Sequence, residues 1–141
     1  PVQPVPGVSQ VLDWLEARGI PFCVASSGEI DKMRLTLGLT GLLPRFEGRM
    51  FSASMVARGK PFPDLFLHAA KSIGVMPQDC TVIEDAVPGV EAGVAAGMQV
   101  LAYVGASHAD RAELAAAGAV LFEAMDDLPG LLQKRGSSLV R

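Results

Sequence analysis

Short apolar runs alternate with helix-like segments along nearly the whole chain, and this alternation limits the fold more than any other feature. Val8, Val11, Leu12 and Leu15 recur at helical spacing, and Gly19 is placed to end that helix. Residues 21–26 (PFCVAS) form a compact apolar run, which predicts a buried strand. Residues 29–37 predict a helix that stops near Gly38, and residues 49–53 (RMFSA) a weaker strand. Residues 63–73 predict a helix with Pro63 in its first turn, where a missing N–H costs nothing. Residues 81–84 (TVIE) are rich in β-branched side chains and predict a strand. A helix over 90–96, a strand over 99–104, a helix over 110–117, a strand over 119–122 and a helix over 127–134 complete the series. Strands separated by helices imply an α/β fold, a parallel sheet covered by helices on both faces. Right-handed crossovers connect such strands. Chemistry in these sheets gathers at the carboxyl ends of the strands.

Composition narrows the class further. Half of the 141 residues are hydrophobic and 19% are charged, so the chain has the apolar content for a core and is not a disordered tail. The net charge of −3 and pI near 5.3 argue against a binder that works by neutralising nucleic-acid phosphates. No apolar run approaches the ~18 residues of a membrane helix, so neither nucleic acid nor membrane is an expected partner. Cys23 and Cys80 each sit in or beside an apolar run and are expected to be buried free thiols, as in a cytoplasmic protein. Residues 1–7 (PVQPVPG) resemble a linker, residues 8–135 the folded domain, and residues 136–141 a frayed tail. The Pro-rich opening without an initiator Met suggests a linker leaving another segment.

Three clusters carry candidate chemistry. Ser26-Ser27-Gly28 ends the first strand and precedes a helix, where small residues expose backbone N–H groups and the helix dipole favours an anion. The ordinary alternative is an N-cap by Ser26 or Ser27. Gly59-Lys60-Pro61-Phe62-Pro63-Asp64 holds Lys60 on a turn stiffened by two prolines, which suits a phosphate or carboxylate. The alternative is a solvated loop lysine, with Asp64 serving the first helical turn. Glu84-Asp85 ends a buried strand, where adjacent carboxylates need a partner or a cation such as Mg²⁺. The alternative is a turn acid and a helix cap.

In this order the clusters resemble motifs two, three and four of the haloacid dehalogenase-like hydrolase superfamily: VASSG with Ser26, GKPFPD with Lys60, and VIEDAVPGVEAG with Glu84 and Asp85. Within it the chain is most similar to β-phosphoglucomutase-like phosphatases. The resemblance implies a Rossmann-like core and a Mg²⁺-dependent phosphoric monoester hydrolase acting on a small phosphorylated metabolite of the sugar-phosphate type. It implies that Ser26, Ser27, Gly28 and Lys60 bind phosphate, with Ser26 and Lys60 in catalytic roles. It further implies that Asp85 binds the metal directly and Glu84 directly or through water.

The family's nucleophile is the first Asp of a DxD motif on the central strand, and no DxD occurs in this sequence. The resemblance therefore covers a core without its central strand and without a cap domain, expected to be inactive alone. Residues 21–26 and 49–53 are expected on one side of the gap, and the remaining strands on the other. Two facing unpaired edges are an aggregation hazard, so a preceding segment, another chain or a rearrangement is expected to fill the gap.

A phosphomutase would share every residue named, and a non-catalytic phosphate- or partner-binding module would account for the absent DxD. A receiver-type domain fits poorly, because its acid pair precedes its lysine. His68 and His108 are expected to be structural or solvated, Glu91 a solvated helix acid, and Trp14 a packing residue; Arg58, beside the lysine loop, is a candidate substrate contact.

Overall fold

The computed structural model describes residues 6–105, 110–135 and 138–140. His108 and the first five linker residues lie outside these. Helix α1 (Val8–Ala17) leads into β1 (Phe22–Ser26), followed by α2 (Ile30–Leu39), the short α3 (Leu43–Phe46) and β2 (Met50–Ser52). Helix α4 (Asp64–Ile73), β3 (Cys80–Glu84), α5 (Val87–Ala95) and β4 (Gln99–Tyr103) form the middle of the chain. Helix α6 (Arg111–Ala116), β5 (Val120–Phe122), α7 (Leu128–Arg135) and β6 (Ser138–Val140) end it. The strands make one parallel sheet in the order β2-β1-β6-β3-β4-β5.

Alternation along the strands divides the core into two layers. Ala25, Val82, Val100 and Ala102 pack with Leu65, Phe66 and Val90 from α4 and α5. Phe22, Ile83, Leu101 and Phe122 pack with Leu12 and Leu15 of α1 and Leu128 and Leu132 of α7. Helix α4 is amphipathic, burying Leu65, Phe66, Ala69 and Ala70. It ends at Gly74, whose φ of 77° is a left-handed cap conformation that glycine adopts without a Cβ penalty. Helix α5 approaches the sheet so closely that a Cβ on Gly93 would lie 2.6 Å from Val100 and 3.3 Å from Val82. Cys23 and Cys80 are both buried, and no disulfide joins them. Among the described residues, no helix is long and apolar enough to cross a membrane.

One boundary differs from expectation. Residues 138–140, read as part of a frayed tail, form β6 in the gap foreseen between the two halves of the sheet. These residues carry no local strand signal; what places a strand there is the demand of two buried strand edges for backbone partners. Those edges are buried at Phe22, Cys23, Cys80 and Val82, so their polar groups have little access to water. The strand answers that demand over a short stretch: Leu139 and Val140 pair with Phe22 and Cys23, and Ser138–Val140 with Cys80, Thr81 and Val82.

Candidate active site

The three clusters lie on one rim of the sheet, at the carboxyl ends of β1, β2 and β3. Ser26 is the last residue of β1 and registers with Ser52, the last of β2. Past Ser26 the chain turns at once, and Ser26 Oγ accepts a hydrogen bond from Gly28 N–H at 3.1 Å. Ser52 is fully buried; it donates to the Gly28 carbonyl at 2.8 Å and accepts from Ser54 N–H at 3.3 Å. The β1 turn is thereby tied to the end of β2. Ser27 is exposed. The N-cap position of α2 is Glu29, which makes no side-chain cap bond, so neither Ser26 nor Ser27 caps that helix. The first N–H groups of α2 follow the Ser26 turn with no side-chain cap of their own.

Lys60 is not a solvated loop lysine. Its side chain is 12% exposed, its ammonium pairs with the Glu84 carboxylate, and it lies 5.1 Å from the centre of the Phe66 ring. Glu84 is 10% exposed and, through its other oxygen, accepts from Asp85 N–H at 3.3 Å. Gly89 is what lets the Glu84 carboxylate lie over the first turn of α5: a Cβ there would be 2.0 Å from Glu84 Cδ. The loop carrying Lys60 is braced on its outer side. Arg58 pairs with Asp64 at 3.1 Å and stacks 4.4 Å from the Phe62 ring. Asp64 is thus a partner of Arg58 in the first turn of α4, and the engaged Arg58 is a brace for the loop.

Asp85 is exposed at the end of β3 and has no ion-pair partner among the described residues. β1 and β3 are two strand spacings apart, and continuing their registers with β6 sets Ser26 opposite Asp85 across about 10 Å of the rim. That distance is wide enough for a phosphate group between them. Mg²⁺ takes hard oxygen ligands, typically one or two carboxylates with waters and phosphate oxygens. Asp85 fits one such ligand. Glu84 is engaged by Lys60, and no group of three or more possible ligands occurs among the described residues. The rim therefore offers part of a coordination shell.

His68 packs edge-on against Phe51 at 5.5 Å, Trp14 lies under Arg18 at 4.3 Å, and Glu91 is exposed on α5. Ser52 was missed by sequence reading. Its signal was weak, a small residue at the end of a doubtful strand, and its importance appears only when β1 and β2 are placed in register.

The chain matches known proteins along most of its length. The family model described as a haloacid dehalogenase-like hydrolase matches residues 1–97. A 6-phosphogluconate phosphatase of Escherichia coli is 33% identical over 122 residues, spanning 86% of this chain and 54% of that protein. Hexitol phosphatase A of the same organism is 41% identical over 98 residues, 70% of this chain and 44% of its own. The chain thus spans about half the length of these curated relatives. Among solved structures, a HAD family hydrolase from Deinococcus radiodurans with bound phosphate and sodium superposes with a TM-score of 0.88 at 34% identity, covering 94% of this chain and 60% of that one. A putative β-phosphoglucomutase from Thermotoga maritima gives 0.83 at 28% identity, covering 94% and 61%. Fold, motif order and family match agree, and the chain belongs to the haloacid dehalogenase-like hydrolase family, in its β-phosphoglucomutase-like branch.

Proposed function

We propose that this chain forms the phosphate-binding, lysine and acidic part of a phosphate monoesterase site whose nucleophilic carboxylate lies outside these 141 residues. The observation that carries the reading is the buried Lys60–Glu84 pair on the same rim as the Ser26 turn. A lysine kept among protein atoms by a carboxylate is preorganised, because its charge needs no solvent rearrangement when a phosphate arrives. The Ser26 hydroxyl and the N–H groups that follow it hold non-bridging phosphate oxygens. Lys60 offsets their charge, and Glu84 fixes the direction of the ammonium. Asp85 would hold Mg²⁺ against the phosphate, and the ion when bound supplies charge screening and orientation. No DxD carboxylate is available to attack phosphorus, so the chain alone binds without turnover. Sugar phosphates are the expected substrate class, in keeping with relatives named as 6-phosphogluconate and hexitol phosphatases. A phosphomutase is the second reading, favoured by the likeness to a putative β-phosphoglucomutase.

The test is calorimetric titration of the chain with inorganic phosphate and Mg²⁺, beside an assay with sugar phosphates. Binding without hydrolysis is expected, and Ser26→Ala and Lys60→Ala should each weaken binding at least about tenfold. Hydrolysis by a mass-verified 141-residue chain would overturn the absent-nucleophile reading. Unchanged phosphate affinity in both variants would overturn the site. In a complete enzyme containing these residues, conversion of a sugar 1-phosphate to the 6-phosphate would favour the mutase.

A further inference from the structure

We propose that the buried Ser52 hydroxyl is a positioning residue for phosphate binding: by holding the Gly28 carbonyl, it aims the Glu29 N–H at the anion. The proposal rests on the phosphate-binding reading of the rim and adds to it a residue outside the three motif clusters. Ser52 ends β2, in register with Ser26, and is 0% exposed. Its hydroxyl is fully engaged. The oxygen accepts from Ser54 N–H at 3.3 Å and from the Ser54 hydroxyl at 3.0 Å, which uses both lone pairs. Its single proton goes to the Gly28 carbonyl at 2.8 Å. A hydroxyl saturated in this way has one orientation, and the carbonyl it holds is fixed with it.

Gly28 is therefore clamped at both ends. Its N–H donates to Ser26 Oγ at 3.1 Å, and its C=O accepts from Ser52. The Gly28–Glu29 peptide is trans, so the Glu29 N–H runs antiparallel to the held carbonyl and points away from the end of β2. In the strand order, the side of β1 opposite β2 is the side of β3, which ends in Glu84. The Gly28 N–H is spent on Ser26, whereas the Glu29 N–H has no acceptor among the described residues. Glu29 is the N-cap of α2, so its amide also stands at the positive end of that helix. An N–H in this place is a ready donor to a phosphate oxygen, provided its peptide is held in one orientation. Ser52 also opens the short turn Ala53–Met55, and a serine serving only as that cap needs the Ser54 N–H alone. The bond to Gly28, 24 residues away in sequence, is additional to the cap. Beyond the turn the chain folds back, so that a Cβ on Gly59 would lie 3.4 Å from Ala53 Cβ. One hydroxyl thus joins the Ser26 turn to the base of the loop that carries Lys60.

The test follows the amide resonances of the full chain during titration with inorganic phosphate. In the unsubstituted chain the Glu29 amide proton should move downfield as phosphate binds, and further than that of Gly28, whose N–H already has an acceptor. Ser52→Ala is compared under conditions where its Val82 and Leu101 amides keep their unsubstituted positions. There the Glu29 shift should largely vanish, and phosphate affinity should fall about fivefold. A Ser52→Ala chain that binds phosphate as tightly as the unsubstituted one would overturn the positioning role and leave the phosphate site standing. So would a loss of affinity with the Glu29 shift at saturation unchanged, which marks a merely structural effect. A Glu29 amide that does not respond to saturating phosphate in the unsubstituted chain overturns the role as well, even if Ser52→Ala fails to fold. Absence of phosphate binding by the unsubstituted chain would instead overturn the reading of the rim, and this role with it.

Discussion

At the residue scale, the Lys60–Glu84 pair decides how the rim responds to substitution. Two charges with side-chain exposures of 12% and 10% have lost most of their hydration and depend on each other. Removing one leaves the other unpaired. Lys60→Met should therefore destabilise the fold by about 3 kcal/mol in urea denaturation, because Glu84 then lies buried without a counter-charge. The double change Lys60→Met with Glu84→Leu should recover most of that loss, since an apolar pair of similar size needs no compensation. Equal losses in the single and double variants would show that the pair contributes little. Cys80 offers a second readout. Burial, with the Asp79 carboxylate adding to it, pushes its thiol from the usual 9.0 up to about 11. The folded state thus holds this proton more tightly than the unfolded state. As pH rises through 9.0 the unfolded chain releases the proton first, and stability falls until the folded thiol also ionises near 11. The expected slope in that window is at most about 1.4 kcal/mol per pH unit for this one proton. It should be smaller in Cys80→Ala, as measured by denaturation midpoints across the pH series.

At the element scale, α5 is the piece whose placement serves both core and site. Gly89 admits the Glu84 carboxylate to its first turn, and Gly93 lets its middle approach β3 and β4. Gly93→Ala gains helix propensity of up to ~1 kcal/mol. It also drives a methyl to 2.6 Å from Val100, in a core layer with little room to yield. The steric term should win, with a net destabilisation of about 1–2 kcal/mol by thermal or urea unfolding. A stabilised variant would mean that α5 can move away from the sheet. Most elements of this kind were legible in the sequence, since a buried parallel strand such as β3 is a run of β-branched residues bounded by polar ones. The Ser26, Lys60 and Glu84 positions were legible too, because each sits where a strand or proline-stiffened turn ends. Three things were not. Helix α3 is only four residues long, too short for periodicity to register. Ser52 gains its role from register between strands remote in sequence. Strand β6 has no local signal at all, and only the shared need of β1 and β3 for a neighbour locates it.

At the scale of the whole molecule, the sheet consists of two blocks joined through β6, whose pairing with β1 is the shortest among the described residues. On one side β3 and β4 pair over Thr81–Glu84 and Gln99–Ala102, with β5 continuing the ladder. On the other, β1 meets β2 over three positions. Between the blocks, β6 contributes two pairings to β1 and three to β3. Helix α4 spans the junction on one face, burying Leu65 and Phe66 in the layer that holds both Ala25 and Val82. Local opening follows the distribution of buried contacts and ladder bonds, so the blocks should not lose protection together. In moderate urea, the amides of Phe51 in β2 and Val24 in β1 should exchange before those of Val82 and Leu101, with a free-energy gap of at least about 1 kcal/mol. Substituting Phe66→Ala should narrow the difference between the intact and open forms by weakening one of the two apolar layers that join the blocks, lowering protection in β1 first. Uniform exchange of all four amides, unchanged in rank by Phe66→Ala, would instead mean that the helices weld the sheet into a single cooperative unit and that the short β6 junction is no weaker than the β3–β4 ladder.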